Sequence, residues 1–118
     1  MERPFPLTRG AVHLARLDPA KGAEVGKCRP VVLLTAQYLL DVDPPVFFIC
    51  PLSSRSDPAF AAIHLAIPAR DQLQRESYAL VEHCRAISRR RVLSDRIALL
   101  SGDEIDAILN RLERMLGR

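Results

Sequence analysis

Hydrophobic and polar residues follow one another in short runs along the first three quarters of the chain, and these runs predict β-strands. The first covers residues 11–17, where apolar and polar side chains alternate loosely. Two continuous apolar runs follow at 31–34 and 46–50, and both are too short for a core helix. Alternation returns at 62–67, with His64 on the polar side, and residues 78–87 predict one or two further strands.

The pattern changes to a helical period near the C-terminus. Ser101 is followed three residues later by Glu104, a spacing typical of a capping box. Apolar residues then recur at helical spacing up to Gly117, where such a helix would stop. They are Ile105, Ile108, Leu109, Leu112 and Leu116.

The order of these elements defines the expected fold class. No strand–helix–strand alternation is present, which disfavours a parallel doubly wound sheet. We therefore expect a mainly β (α+β) protein: a small twisted antiparallel sheet or partial barrel, packed by a C-terminal amphipathic helix. A chain of 118 residues is predicted to form a single domain over residues 1–118.

Composition narrows the class of protein without defining it. Apolar residues make up 48% and charged residues 26% of the chain, as in ordinary globular proteins. The net charge of +3 and the pI near 9.1 permit a polyanionic partner. No apolar stretch reaches the roughly 18 residues of a membrane span, and residues 1–6 lack the apolar segment of a secretory signal. We expect a cytoplasmic protein that does not contact a membrane.

The candidate metal ligands are scattered. Cys28, Cys50 and Cys84 are widely spaced, so they predict three separate small apolar residues in a reducing compartment. The histidines show no spacing typical of a metal site. No phosphate-binding glycine loop is present either. We expect neither a metal nor a cofactor.

The loop at residues 18–30 is the first candidate for chemistry. It carries Lys21, Glu24, Lys27 and Arg29 in one glycine-containing segment. Because Arg29 precedes a buried strand, its backbone is expected to be rigid, and a rigid guanidinium suits the charge that develops in phosphoryl transfer. The alternative is a solvated loop in which Arg29 pairs with Glu24.

Hydroxyl groups are concentrated at the end of the strand predicted at 46–50. The hydroxyls of Ser53, Ser54 and Ser56, with Arg55, could bind a phosphate oxygen, or they could form an ordinary turn. No serine–histidine–carboxylate arrangement can be derived from the sequence.

The segment around Glu82 is a third candidate. As part of a strand, it would place Glu82 and Cys84 on one face and His83 and Arg85 on the other. A neighbouring carboxylate and imidazole could supply a general base and acid, although such pairs are more often structural. The arginines from Arg85 to Arg96 are typical of a solvated face and equally of a nucleic-acid groove.

The order of these motifs resembles the MazF/PemK (Kid) family of toxins, nearest the MazF branch. Arg9-Gly10 and the stretch at 17–32, L-D-P-x-K-G-x-E-x-G-x-x-R-P-V-V, match the N-terminal signature of that family. The stretch at 75–87, R-E-S-x-A-L-V-E-H-x-R-x-I, is similar to its second signature. The resemblance covers about residues 8 to 116.

The resemblance implies a fold and an activity. The expected fold is a small SH3-like, CcdB-like antiparallel β-barrel with short helices, working as a homodimer. The expected activity is metal-independent cleavage of single-stranded mRNA at short sequences, leaving 2′,3′-cyclic phosphate and 5′-hydroxyl ends. The implied partner is an antitoxin whose acidic, disordered tail occupies the RNA groove.

Site residues carry over position by position. The resemblance assigns the essential arginine to Arg29, the loop glutamate to Glu24, and the essential threonine to Ser53, which keeps the hydroxyl and loses the methyl group. Glu82 stands where the PemK/Kid branch has a general-base aspartate, but the companion arginine of that branch is Leu80 here.

Further departures leave the acid and the base open. His83 replaces the usual glutamine, and Ala11 and His13 replace an acidic and an aromatic residue. The general acid and base remain open among Glu24, Glu82 and His83. The expected RNA contacts are Lys21, Lys27, Ser54, Arg55 and Arg85.

Two other functions remain possible on the same fold. One is a gyrase-binding toxin like CcdB, but that relative uses an aromatic-bearing tail and this chain ends in Met115-Leu-Gly-Arg118. The other is an RNA- or antitoxin-binding module without catalysis. Arg29 and the hydroxyl of Ser53 argue for the enzyme, because fold alone does not define function.

Overall fold

A computed structural model describes residues 7–118, so the expectation about residues 1–6 lies outside the described part of the chain. Seven strands and two α-helices are formed. The strands are β1 Ala11–Arg16, β2 Cys28–Leu33, β3 Val46–Ser53, β4 Leu65–Ile67, β5 Ser77–Ala79, β6 Arg85–Ser88 and β7 Ala98–Leu99. The α-helices are α1 Gln37–Leu40 and α2 Gly102–Met115, and short 3-10 helices cover Pro58–Phe60, Val81–His83 and Arg89–Arg91.

All strand pairs are antiparallel, and the sheet has the order β4-β5-β3-β2-β1-β7. β3 is the central strand. Its first half pairs with β6, its middle with β2, and its last two residues with β5. This sheet with short helices and a C-terminal helix confirms the expected fold class.

Apolar side chains cover both faces of the sheet. Val12 and Val32 point into one core cluster, which α2 closes with Ile108. The neighbouring residues Val31 and Leu33 point into the other, which Leu40 of α1 closes. This two-sided burial explains why the central strands are continuous apolar runs rather than alternating ones.

The C-terminal helix confirms its predicted start and stop. The hydroxyl of Ser101 accepts from the backbone N–H of Glu104, and the Glu104 carboxylate accepts from the backbone N–H of Ser101. Gly117 follows the last turn with a positive φ of 79°. At 14 residues, α2 is the longest helix among residues 7–118, and no helix in that range combines the length and apolar character that crossing a bilayer requires.

Two predicted strand boundaries were wrong. β2 begins at Cys28 rather than at residue 31, because β1 pairs with Arg29 and Pro30. The strand predicted at 62–67 shortens to β4, because the 3-10 helix at Pro58–Phe60 continues into hydrogen bonds from the N–H groups of residues 63 and 64 to the Phe60 carbonyl.

The segment 78–87 belongs to the candidate site. It contributes to two strands, which was one of the two expected arrangements, and the 3-10 helix Val81–His83 separates β5 from β6. The expected strand alternation, with Glu82 and Cys84 on one face and His83 and Arg85 on the other, is therefore wrong. All four side chains line one pocket instead.

Candidate active site

The antiparallel register of β2 and β3 brings Arg29 to Ser53. Val31 lies opposite Pro51, and continuing that register by two residues places position 29 opposite position 53. Both residues line one cleft of about 630 Å³, which we call the anion cleft. Its lining comprises Leu14, Cys28, Arg29, Pro30, Leu52, Ser53, Ser54, Gln72, Leu73, Gln74, Arg75, Ser77 and Ile97.

One edge of the Arg29 guanidinium is held by a hydrogen bond within the protein. The side chain is half-buried, and its Nε donates to the Gly26 carbonyl at 3.0 Å. That bond fixes the plane of the guanidinium, and within residues 7–118 no hydrogen bond occupies its Nη groups. Paired N–H donors of this kind match two oxygens of a phosphate or carboxylate.

Hydrogen bonds between side chains and backbone groups hold the loop that leads into Arg29. The carboxylate of Asp18 accepts from the backbone N–H of Lys27 at 2.8 Å, and a Cβ on Gly26 would collide with that carboxylate. Arg91 donates through Nη1 to the carbonyl of Arg16 at 3.1 Å and to the carbonyl of Asp18. At least this arginine of the basic run therefore supports the loop.

Ser53 presents a hydroxyl whose orientation is partly fixed. Its Oγ accepts from the backbone N–H of Arg55 at 3.1 Å, and a hydroxyl that accepts one bond still has its proton to donate. Ser54 and Arg75 add further donors to the same cleft, whereas the Ser77 hydroxyl donates to the Arg75 carbonyl at 3.3 Å. No carboxylate or imidazole belongs to this lining among residues 7–118, so the cleft is suited to an anion.

The candidate proton-transfer residues lie elsewhere. Glu24, Glu82, His83 and Arg85 line a separate pocket of about 160 Å³, which we call the carboxylate pocket. Glu24 is exposed, and its Oε1 accepts from the backbone N–H of Lys21 at 2.7 Å. Neither Glu24 nor Glu82 lines the anion cleft, so the alternative in which Arg29 pairs with Glu24 gains no support.

His64 is a candidate that the sequence analysis missed. Its side chain is only 2% exposed, whereas the strand pattern placed it on the polar side. Its Nδ1 lies 2.8 Å from the hydroxyl oxygen of Ser56, and its Nε2 lies 2.8 Å from each carboxylate oxygen of Glu82. The three residues are far apart in the sequence, and no local pattern indicated that they would meet.

A third pocket, of about 550 Å³, opens beside this histidine and is called here the imidazole pocket. Arg55, Phe60, His64, Glu82 and His83 line it. The ring of Phe60 stacks on that of His64 with centroids 6.5 Å apart.

The residues expected to contact RNA are divided among these regions. Ser54 lines the anion cleft, Arg85 the carboxylate pocket and Arg55 the imidazole pocket. Lys21 and Lys27 are exposed on the loop before β2. Pro51, Ser53 and Arg55 each line a different one of the three regions, so the segment 51–56 borders all of them.

Two of the cysteines are neighbours, so the expectation of three separate cysteines was wrong for this pair. The pKa of the Cys50 thiol is raised well above its ordinary value. The largest cause is a hydrogen bond with Cys84, and burial is the second. All three cysteines are free thiols, and Cys28 is exposed in the anion cleft. Across residues 7–118, no group of three or more His, Cys, Asp or Glu side chains is arranged to hold a metal ion.

Solved structures share this fold. MazF from Deinococcus radiodurans superposes with a TM-score of 0.80 at 22% identity, over 97% of this chain and 99% of that one. MazF in a MazE–MazF crystal from the same organism gives 0.72 at 22% identity, over 96% and 97%. An endoribonuclease crystallised with its cognate antitoxin, from a mycobacterial species, gives 0.69 at 13% identity, over 95% and 94%.

The protein is thus a small antiparallel β protein of the MazF fold, with a cationic cleft on its sheet. A family model described as PemK-like, MazF-like toxin of type II toxin-antitoxin system matches residues 8–116. The chain belongs to that toxin family, as its sequence motifs predicted.

Proposed function

We propose that this protein is a metal-independent endoribonuclease that cleaves single-stranded mRNA as the toxin of a type II toxin–antitoxin pair. The observation that carries the proposal is the meeting of Arg29 and Ser53 in a cleft to which residues 7–118 contribute two arginines and no carboxylate. Such a lining attracts a phosphodiester, and it offers no acidic side chain that would pair with Arg29 and occupy it.

The reaction begins when the 2′-hydroxyl of one nucleotide attacks the adjacent phosphorus. The bond between O2′ and phosphorus forms, the bond to O5′ breaks, and the products are a 2′,3′-cyclic phosphate and a 5′-hydroxyl. The proton of the 2′-hydroxyl leaves to a base, and the 5′-oxygen takes up a proton. Glu24, Glu82 and His83 are the candidates for these transfers.

Arg29 and Ser53 act on the phosphate rather than on protons. A guanidinium is a cation with paired donors rather than a proton-transfer group, so Arg29 stabilises the negative charge that grows on the non-bridging oxygens. The hydroxyl of Ser53 donates to one of those oxygens and orients it. The RNA that flanks the cleaved bond lies along the segment 51–56. It is contacted by Lys21, Lys27, Ser54, Arg55 and Arg85.

The same cleft suits the acidic tail of an antitoxin. Carboxylates of an extended acidic peptide would take the positions of the phosphates and exclude RNA. We propose that the active form is a homodimer located in the cytoplasm.

Cleavage of a defined RNA in EDTA tests this function. The purified protein is incubated with a single-stranded RNA of mixed sequence and with its double-stranded form, and the product ends are mapped. The proposal expects EDTA-resistant cutting of the single strand, with cyclic phosphate and 5′-hydroxyl ends. Binding without cutting would instead indicate a module that lacks catalysis, and cutting that EDTA abolishes would contradict the metal-independent mechanism.

A further inference from the structure

The chain of hydrogen bonds through His64 determines how Glu82 can act. Ser56, His64 and Glu82 come from three separate segments and form one continuous series with both links at 2.8 Å. The side chains of His64 and Glu82 are 2% and 11% exposed. A carboxylate that is this far removed from water requires a donor, and His64 supplies it.

The direction of each hydrogen bond follows from the carboxylate. An ionised carboxylate has only acceptors, so Nε2 of His64 carries a proton and donates it. In the neutral ring Nδ1 is then an acceptor, and the hydroxyl of Ser56 donates to it. Glu82 therefore selects the tautomer in which His64 faces it with its N–H, and the hydroxyl of Ser56 can donate to the other ring nitrogen.

The geometry at Glu82 limits its use as a base. Nε2 of His64 is equally distant, at 2.8 Å, from Oε1 and Oε2, so its N–H points at the edge between the two oxygens. The lone pairs on that edge are the more basic ones of a carboxylate, and they are already engaged. The Glu82 carboxylate is held in place with its better acceptor sites occupied by His64, which itself lines the imidazole pocket.

His83 lies beside this fixed anion and is more open. Its Nε2 is 3.9 Å from Oε2 of Glu82, and its side chain is 25% exposed, against 11% for Glu82. It lines both the carboxylate pocket and the imidazole pocket. At 3.9 Å the carboxylate makes no hydrogen bond to the ring, yet it is close enough to stabilise an imidazolium through its charge.

We propose that Glu82 is a positioning residue, fixed by His64 and Ser56, and that His83 is the general base of the proposed reaction. Nε2 of the neutral His83 ring takes the proton of the 2′-hydroxyl as the bond between O2′ and phosphorus forms. The bond from phosphorus to O5′ breaks, and the 5′-oxygen takes its proton from water. The proposal rests on the proposed ribonuclease function and assigns roles that the sequence left open.

Single-turnover cleavage of the same RNA by substituted proteins tests these roles. His83→Ala removes the base and is expected to lower kcat on the order of a hundredfold with little change in KM. Glu82→Gln keeps an acceptor for His64 and loses the charge, so a smaller loss of kcat, within about tenfold, is expected. Glu113→Gln on the exposed face of α2 is the matched control for an acid-to-amide change.

His64 is tested by a pair of substitutions. His64→Leu leaves the buried carboxylate without its donor and is expected to lower kcat on the order of tenfold. His64→Gln places an amide N–H near the former Nε2 and is expected to restore most of that loss. Melting curves verify that each variant is folded before it is assayed.

An NMR spectrum of protein labelled with ¹⁵N-histidine provides a readout that does not depend on RNA. The proposal expects the ring proton of His64 on Nε2, and His64→Gln identifies the signals. The opposite tautomer would overturn the proposed hydrogen-bond chain.

The cleavage outcomes separate this proposal from the proposed function. If the unsubstituted protein cuts RNA and Glu82→Gln is as inactive as His83→Ala or worse, Glu82 is the base and this proposal fails alone. If the unsubstituted protein cuts no RNA under any condition, the proposed function fails and the role of His83 fails with it.

Discussion

The anion cleft and the carboxylate pocket lie on neighbouring residues of the same central strand, yet their chemistry differs. Leu52 and Ser53 border the anion cleft, and Pro51 borders the carboxylate pocket. The cleft contains guanidinium, amide and hydroxyl donors. The pocket also contains one guanidinium, that of Arg85, but combines it with carboxylates and an imidazole, which no residue of 7–118 contributes to the cleft.

This difference shows how the arginines of the anion cleft stay available for an anionic ligand. A carboxylate in the anion cleft would form a bidentate pair with Arg29 and would compete with a phosphate for the same donors. The chain does form such a pair elsewhere: Arg70 donates to both oxygens of Glu104, at 2.5 and 2.6 Å, close to the start of α2. Arg70 is structural because both of its Nη groups are paired, and Arg29 is suited to a ligand because it lines a cleft in which no residue of 7–118 contributes a carboxylate.

The rigidity of the two regions also differs in origin. The cleft residues are fixed by strand pairing, since Arg29 lies in β2 and Ser53 in β3. Glu82 and His83 lie on a single 3-10 turn, which ladder hydrogen bonds do not hold. Side-chain bonds, chiefly those from His64, orient the carboxylate there instead.

The largest expected effect comes from removing the guanidinium from the cleft. Arg29→Ala should lower RNA cleavage on the order of a hundredfold or more, because a preorganised donor to the developing charge is lost. Arg29→Lys keeps the charge without the paired donors and should recover only part of the activity. Arg114→Ala on α2 removes an exposed arginine and is the control. If Arg29→Ala cleaves RNA as fast as this control does, the anion cleft is not the site of the reaction.

A smaller effect is expected at Ser53. Ser53→Ala removes one neutral donor to the phosphate and should reduce cleavage on the order of tenfold. Ser53→Thr keeps the hydroxyl and adds the methyl group that restricts its rotamer, so its rate should equal or exceed that of the unsubstituted protein. The comparison is made by single-turnover rates, and equal rates for the Ala and Thr variants would remove Ser53 from the phosphate site.

The smallest effect on cleavage is expected for the structural pair. Arg70, more than the capping bonds at Ser101, lowers the pKa of Glu104 below its ordinary value. The pair therefore stabilises the fold fully above about pH 4.3, and this contribution is lost as the pH falls through the lowered pKa. Glu104→Gln should cost about 1 kcal/mol at neutral pH and less in acid, and should leave the RNA cleavage rate within about twofold of the original.

Urea unfolding at pH 7 and at pH 3 measures that difference. Glu113→Gln, an exposed carboxylate on the same helix, is the control. An equal loss of stability at both pH values would show that the pair does not stabilise the fold through its charge.

More of the anion cleft than of the two pockets could be predicted from the sequence, because the cleft residues belong to local sequence patterns. The spaced glycines, Arg29 and Pro30 stand in one continuous segment, and Ser53 directly follows a recognisable apolar run. The strand boundaries were harder to predict from the sequence. Pairing with β1 extends β2 back to Cys28, across a proline that by itself favours a loop.

The carboxylate and imidazole pockets could not be read in the same way. The segment at 78–87 has the composition of a strand, and the turn at Val81–His83 exists because β5 and β6 pair with different ends of β3. His64 sits in an alternating run that predicted a polar position. Its burial depends on Ser56 and Glu82, which approach it only once the sheet has formed.

The sequence by itself determined the fold class, the family and the cleft residues Arg29 and Ser53, because periodicity, capping and motif spacing are properties of short segments. Only the tertiary structure decided which charged groups share a pocket: it separated Glu24 and Glu82 from the anion cleft and joined Glu82 to His64. The physical reason is that hydrogen-bond partners and burial depend on distances between segments far apart in the chain. Those distances follow from the antiparallel register of β3 with three different strands.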